Sequence, residues 1–465
     1  MTEEGVVATP SRGSWWQVSI GSYGNLLVIA VVAVATLFWL STYVIIHYFS
    51  RDVFTSVLYA GVEPCWPGVP TIGYHCFGDF SVMRLVVFSA DPWDVPGVGT
   101  WNYPASGMIP SLIFIAIGKL VGSDKAGLLL YLGAAMVSLA FPAYWAARYR
   151  PLTARIVIWS SFGILSVPTL MALDRGNVVA FAVPAIMIAV FAFARGANAT
   201  AVIALSAAAL VKPQFAFAVL AFLIVARYRW FFISIGAVIV SNLAAFLLWP
   251  AHFPSTLVKA VNGILFFGNG GTSGLTRVGP PTNSSIAEGI YLVEFWTRQA
   301  LGLDAKHTFV AAHDTLVSGI AVVLVVAAIW FARRRMSPAL LIAMLFLISA
   351  IAVPTTFTYY YVAALPVAAV VLRDPTAPVH ADSRVFTGVL DQGSTPRWPV
   401  MIASVFLILT LAVTVSRIVL ATPVVPNTPY VQTNGELLGI QWVVAVLWFC
   451  LAVRLTRRRE SELAA

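Results

Sequence analysis

Charge is what this sequence has least of. Only 10% of its 465 residues are charged, against 60% hydrophobic. A soluble core of this length would need far more charge to clothe its surface. The apolar–polar alternation of half-buried strands is also missing, which excludes β structure as the organising element. There is no Walker loop, no H-E-x-x-H pair, no G-x-S-x-G elbow and no zinc-like spacing of cysteine and histidine. The chemistries those motifs carry are therefore not indicated. No internal repeat is evident, which weakens a transporter built on inverted repeats. No cleavable signal peptide is evident either. The first apolar run is too long and lacks a small-residue cleavage site, so it should remain as a helix.

What is present instead is a series of apolar runs separated by short polar joints. The runs fall at roughly 25–48, 107–122, 126–146, 156–173, 178–194, 198–211, 214–226, 231–249, 312–332, 338–353, 357–372, 398–420 and 438–453. Most have about the length a helix needs to cross some 30 Å of hydrocarbon. In lipid every backbone group must bond within its own segment, so these runs read as helices.

The net charge is +9, but the basic residues form no soluble stripe, and nucleic acid is not an expected partner. They gather at helix ends: Arg148, Arg150 and Arg155; Arg227 and Arg229; Arg333, Arg334 and Arg335; Arg457, Arg458 and Arg459. Cytoplasmic loops carry that pattern. Counting every run as a span, with the N-terminus inside, would force the Arg148–Arg155 cluster outside. Segment 107–122 is short and carries Pro110 and Lys119. Reading it as a re-entrant or surface helix returns every basic loop to the cytoplasm. The expectation is an all-α polytopic membrane protein with about 12 transmembrane helices and both termini cytoplasmic.

The chain then divides into a cytoplasmic tail (1–24), a transmembrane core (25–373), a cytoplasmic loop (374–397), C-terminal transmembrane helices (398–456) and a second tail (457–465). The polar residues fall on the outer side, in loops 49–106, 250–311 and 422–437 and in the turns at 174–177, 212–214 and 355–361. Chemistry should be extracytoplasmic.

The outer loop 49–106 holds Gly78-Asp79-Phe80, Asp91-Pro92-Trp93-Asp94 and Trp101-Asn102-Tyr103-Pro104. An aspartate in an aromatic-rich loop beside a membrane is partly desolvated, which strengthens it as a proton acceptor. The same aspartates can equally cap helices or bind loop backbone. Cys65 and Cys76 share this loop, where they are expected to pair, against two free thiols; Cys450 sits in the last apolar run. Asp174-Arg175-Gly176-Asn177 interrupts two apolar runs, a costly placement unless it faces a polar cavity. Arg175 suits a phosphate, with Asp174 holding it, or the two form a turn with an internal ion pair. Lys212-Pro213-Gln214 tips a hairpin with short arms, so Lys212 either meets an anion such as a lipid phosphate or snorkels to headgroups. Arg417 is a further candidate for phosphate, and His252 for phosphate or sugar. Asn283, Ser284, Tyr359, Tyr360 and Tyr361 carry groups fit for sugar hydroxyls.

In their order along the chain these pieces resemble the GT-C superfamily of membrane glycosyltransferases, and within it glycosyltransferase family 87. The resemblance covers roughly residues 25–370. It rests on Gly78-Asp79-Phe80, Tyr103-Pro104, Arg175-Gly176-Asn177, Val211-Lys212-Pro213-Gln214, Asn283-Ser284-Ser285-Ile286 and the tyrosine run before Pro366. The family's usual Tyr-Pro-Pro reads Tyr103-Pro104-Ala105 here, and its Gly-Gln-x-Asn reads Asp174-Arg175-Gly176-Asn177. The loop before Asp79 is enlarged.

The resemblance implies a GT-C-like fold and an enzyme of the plasma membrane. It would move mannose or arabinofuranose from a polyprenyl-phosphate donor to a glycolipid or polysaccharide acceptor. By that likeness Asp79 is the base. Arg175, Lys212, Arg417 and His252 would hold the donor phosphate. Asp174, Asn177, Gln214, Asn283, Ser284, Tyr103, Tyr359 and Tyr360 would contact sugar or acceptor. No cofactor or metal is expected, because fixed cations can stabilise the leaving group. A flippase for a lipid-linked sugar and an envelope polysaccharide polymerase are the alternatives.

Overall fold

The protein is described from a computed structural model covering residues 29, 33, 36, 38–40, 42–43, 71–72, 75–95, 103–268, 283–304, 308–353, 355–373, 398–416, 419–421 and 432–456. The described residues form an all-α polytopic assembly of apolar helices. The one exception among them is a two-stranded antiparallel ribbon, Val419–Ala421 with Gln432–Thr433. Most of the first expected span, all of 374–397, Cys65 and Arg417 lie outside the described residues.

Among the described residues, four helices are long and apolar enough to cross a membrane: Asp124–Ala147, Tyr228–Leu248, Phe309–Ala332 and Gly435–Leu455. A bent pair, Leu152–Ile164 with Val167–Arg175, makes a fifth if it is one broken span with a 40° bend. The other apolar runs form shorter helices, among them Ala105–Leu120, Val178–Ala194, Asn198–Val211, Pro213–Ile224 and Pro338–Ile351. At about 1.5 Å per residue a 14-residue helix rises only about 21 Å. The breaks have local causes. Ser166 accepts a hydrogen bond from Thr169 N and so caps a new helix just before Pro168. Pro213 and Pro366 likewise stand in the first turn of the elements they begin.

Burial sorts the helices into two kinds. Pro338–Ile351 and Leu365–Leu372 are apolar on every face, and protein covers nearly all of both. Tyr228–Ala245 instead turns Phe232, Ile239, Val240 and Leu243 outward, and Phe309–Ala332 exposes Val323, Leu324 and Phe331. Exposed apolar faces on this scale need lipid against them.

Ala105–Leu120 and Asp124–Ala147 form a hairpin turned at Ser123, whose side chain accepts from Ala126 N. Their backbones approach so closely that a Cβ on Gly127 would lie 2.6 Å from the Phe114 carbonyl oxygen. That approach carries Ala105, and with it the neighbouring Tyr103, to the end of the helices that bear the polar residues described next.

Candidate active site

The site begins with a laced segment just before the helix Gly78–Val86. Ile72 and His75 exchange backbone hydrogen bonds of 3.1 Å each. The Cys76 carbonyl accepts from Ser81 Oγ at 2.6 Å, and Phe77 takes a left-handed conformation (φ 48°) that starts the helix Gly78–Val86. Cys76 is disulfide-bonded and Cys450 is free. Phe80 and Met83 are 1% exposed and anchor this short helix, leaving Asp79 in its first turn, where the helix dipole favours an anion.

Opposite it ends the helix Val167–Arg175. Gly176 closes it in the left-handed region (φ 60°), the usual C-terminal stop. A Cβ there would also sit 2.7 Å from Phe80 Cβ, so the two elements can meet only at a glycine. Tyr131 Oη donates to the Gly176 carbonyl at 2.8 Å and fixes the turn. Arg175 and Asn177 then flank the Asp79 carboxylate. Arg175 Nη2 donates to Oδ1 at 3.0 Å, and Asn177 Nδ2 donates to Oδ2 at 2.5 Å. Asn177 Oδ1 is already committed to Val179 N at 2.9 Å, which leaves the amide nitrogen to face Asp79 and Tyr103 Oη, the latter at 2.9 Å. Trp93 Nε1 donates to the Tyr103 carbonyl at 2.8 Å and holds the tyrosine in place.

Lys212 ends the helix Asn198–Val211 and is 4% exposed. Its ammonium lies 3.7 Å from the Tyr103 ring centroid and 5.4 Å from that of Tyr360. Among the described residues it has no hydrogen-bond acceptor and no salt-bridge partner. Cation–π contact supplies part of the solvation it has lost, and its charge acts on Asp79. Tyr359 and Tyr360 pack together at 4.7 Å, Phe357 stacks on Tyr359 at 5.4 Å, and the Arg175 guanidinium lies 6.0 Å from the Phe357 ring.

The electrostatics follow from this crowding. Burial raises the Asp79 carboxyl from 3.8 to about 6, and the charge of Lys212 and the Asn177 hydrogen bond only partly oppose that rise. The shift corresponds to about 3 kcal/mol against the charged form. Burial, and then the Asp79 charge, push the Tyr103 phenol well above its ordinary value, so it stays a neutral hydroxyl.

Asp79, Tyr103, Arg175, Asn177, Lys212, Tyr359 and Tyr360 are thus brought together from distant parts of the chain. Other expectations are corrected. Asp174 does not hold Arg175; it bonds His75 Nδ1 at 2.6 Å, because consecutive helical residues do not face one another. Asn283 and Ser284 are 1% exposed, and their polar groups are engaged within the protein rather than open to a sugar. Asn283 Oδ1 accepts from Ser285 N and Thr356 N, Ser284 Oγ bonds Thr358 Oγ1 at 2.9 Å, and the Ser284 carbonyl accepts from Tyr361 Oη at 2.6 Å. They tie the start of the helix Ile286–Ala300 to the strip that presents Tyr359 and Tyr360.

His252 is exposed on the turn Pro250–His252, and its ring makes no hydrogen bond among the described residues. Gln214 is half-buried beside Lys212 and makes none either. Asp91 and Asp94 take the structural reading, both bonded to Lys259 at 2.7 and 2.6 Å. His75 and Phe357 are the site residues that sequence reasoning passed over.

The arrangement offers a poised carboxylate, one buried and one half-buried cation and a set of aromatic faces, a combination suited to taking a proton from a hydroxyl beside an anion. No protein-family model matches this sequence, and no curated protein is similar to it.

Proposed function

We propose that this chain is a membrane glycosyltransferase of GT-C type, transferring a sugar from a polyprenyl-phosphate donor to a lipid or polysaccharide acceptor of the cell envelope. The observation that carries the reading is the pairing of one raised-pKa carboxylate, Asp79, with two cations of low exposure, Arg175 and Lys212, of which Lys212 makes no hydrogen bond or salt bridge to an anion among the described residues. A buried ammonium without a counter-ion is costly. A ligand phosphate would remove that cost.

In the proposed step an acceptor hydroxyl oxygen attacks the anomeric carbon, and the bond from that carbon to the phosphate oxygen breaks with its electron pair. Asp79 takes the hydroxyl proton. Polyprenyl phosphate leaves with one more negative charge, which Arg175 and Lys212 stabilise. Preorganised donors of this kind contribute several kcal/mol in a site that excludes water. The anomeric centre inverts, because one displacement occurs and no sugar is held covalently by the protein. Tyr103, Tyr359 and Tyr360 supply faces and hydroxyls for sugar rings.

The reading carries with it about 12 spans, both termini in the cytoplasm, a plasma-membrane location and a site on the extracytoplasmic side. Mannose and arabinofuranose are both candidate sugars. The test uses purified full-length protein in nanodiscs, given radiolabelled polyprenyl-phosphate mannose or decaprenyl-phosphate arabinofuranose with and without an acceptor glycolipid extract. Acceptor-dependent release of free polyprenyl phosphate, with a glycosidic product of inverted configuration, is expected. Movement of intact donor across the bilayer without its cleavage would identify a flippase instead.

A further inference from the structure

A second ionisable pair lies one step from the first. His75 stands four residues before Asp79 in the same laced segment, and Asp174 immediately precedes Arg175 at the end of the same helix. His75 Nδ1 meets Asp174 Oδ1 at 2.6 Å, both side chains being 20% exposed. The two segments are therefore joined twice, by His75 to Asp174 and by Asp79 to Arg175 and Asn177, with the disulfide-bonded Cys76 between the two joints.

The geometry of such a double joint is restrictive. One contact alone would let the segment pivot about it, whereas two contacts on consecutive residues of one helix end set both distance and rotation. Asp79 stands in the first turn of the 9-residue helix Gly78–Val86, entered through the left-handed Phe77; Phe80 and Met83 anchor the buried face of that helix, and the two polar joints fix how its start is turned toward Arg175 and Asn177. We propose that His75 and Asp174 are a positioning pair. Their bond sets the register in which the Asp79 carboxylate meets the acceptor hydroxyl, and neither residue touches the reacting atoms. This rests on the transferase reading of Asp79.

Misplacement of a catalytic group by about 1 Å costs about 100-fold in rate. His75→Ala and Asp174→Ala are therefore each expected to lower kcat about 100-fold with donor KM little changed. The double variant should be no slower than either single one, since the two residues act through one bond. His75→Asn carries an amide N–H near the place of Nδ1 and should restore most of the rate. His75→Gln places its amide near Nε2 and should not.

The measurement is single-turnover transfer by the full chain in nanodiscs, with labelled polyprenyl-phosphate sugar prebound and Asp79→Asn as control. If the alanine variants fail to fold, the order of Asn and Gln at position 75 decides. A fast His75→Asn beside a slow His75→Gln supports positioning. Equal loss in both, or the reverse order, overturns it. Wild-type rates in folded alanine variants overturn it as well, while an inert Asp79→Asn would leave the transferase reading standing. An Asp79→Asn protein that turns over normally would bring down the transferase reading first, and this inference with it.

Discussion

Asp79 and Asp94 lie 15 residues apart, each beside a cation, and their carboxyls move in opposite directions. Asp94 is exposed, and its hydrogen bond and charge pairing with Lys259 lower it. Asp79 is 15% exposed, and burial outweighs the Lys212 charge and the Asn177 hydrogen bond and raises it to about 6. Both pairs look like salt bridges on a contact map. Water separates them: it screens the Asp94–Lys259 pair to little net value, and its loss at Asp79 leaves a carboxylate that holds a proton more readily and so takes one more readily. An acid beside a base marks a candidate site only where burial makes the pairing expensive.

A graded set of variants separates the two carboxylates by function. Asp79→Asn has the largest expected effect, a loss of about 1,000-fold in transfer with donor binding retained, as for removal of a general base. Arg175→Ala is expected to cost about 100-fold, because it removes a donor to the leaving phosphate and strands the carboxylate that Arg175 now pairs. Lys212→Gln should raise donor KM and slow transfer about 10-fold. It also has a direction in pH: losing a positive charge near Asp79 raises that carboxyl further, so the acid limb of the rate profile should move above its wild-type position. At the small end, Asp94→Asn should leave transfer at the wild-type rate, checked in the same assay. A loss there as large as that of Lys212→Gln would erase the distinction between the two regions.

Much of this site was legible because polar residues that interrupt apolar runs stand out. Arg175, Asn177 and Lys212 each sit where a hydrophobic segment stops, and the cost of placing them there points to a shared purpose. The short arms around Lys212 were also visible in the spacing, and the helices Asn198–Val211 and Pro213–Ile224 have the brevity expected of them. Partner choice was not visible. Asp174 and Arg175 are neighbours in sequence, yet the helix turns them to different partners. His75 has no local signature in a polar-aromatic loop, and only the fold brings it to Asp174.

Asn283 and Ser284 were misread although a signal was present. Ser285-Ile286-Ala287-Glu288 has the spacing of a capping box, and Ser285 Oγ does accept from Glu288 N at 3.1 Å. At this helix start Asn283 and Ser285 are taken up by backbone N–H groups before any ligand can claim them. Run length was a poorer guide to helix length, since capping Ser166 and prolines such as Pro213 and Pro366 divide apolar stretches that are continuous by composition alone.

Whether a desolvated Asp79 takes the acceptor proton is read from the pH dependence of single-turnover transfer in wild-type protein and Lys212→Gln. The expected result is an acid limb falling about tenfold per pH unit below a midpoint of about 6, displaced upward in the variant. A wild-type rate that stays level down to the ordinary carboxylate range, or a limb that Lys212→Gln leaves in place, would contradict it.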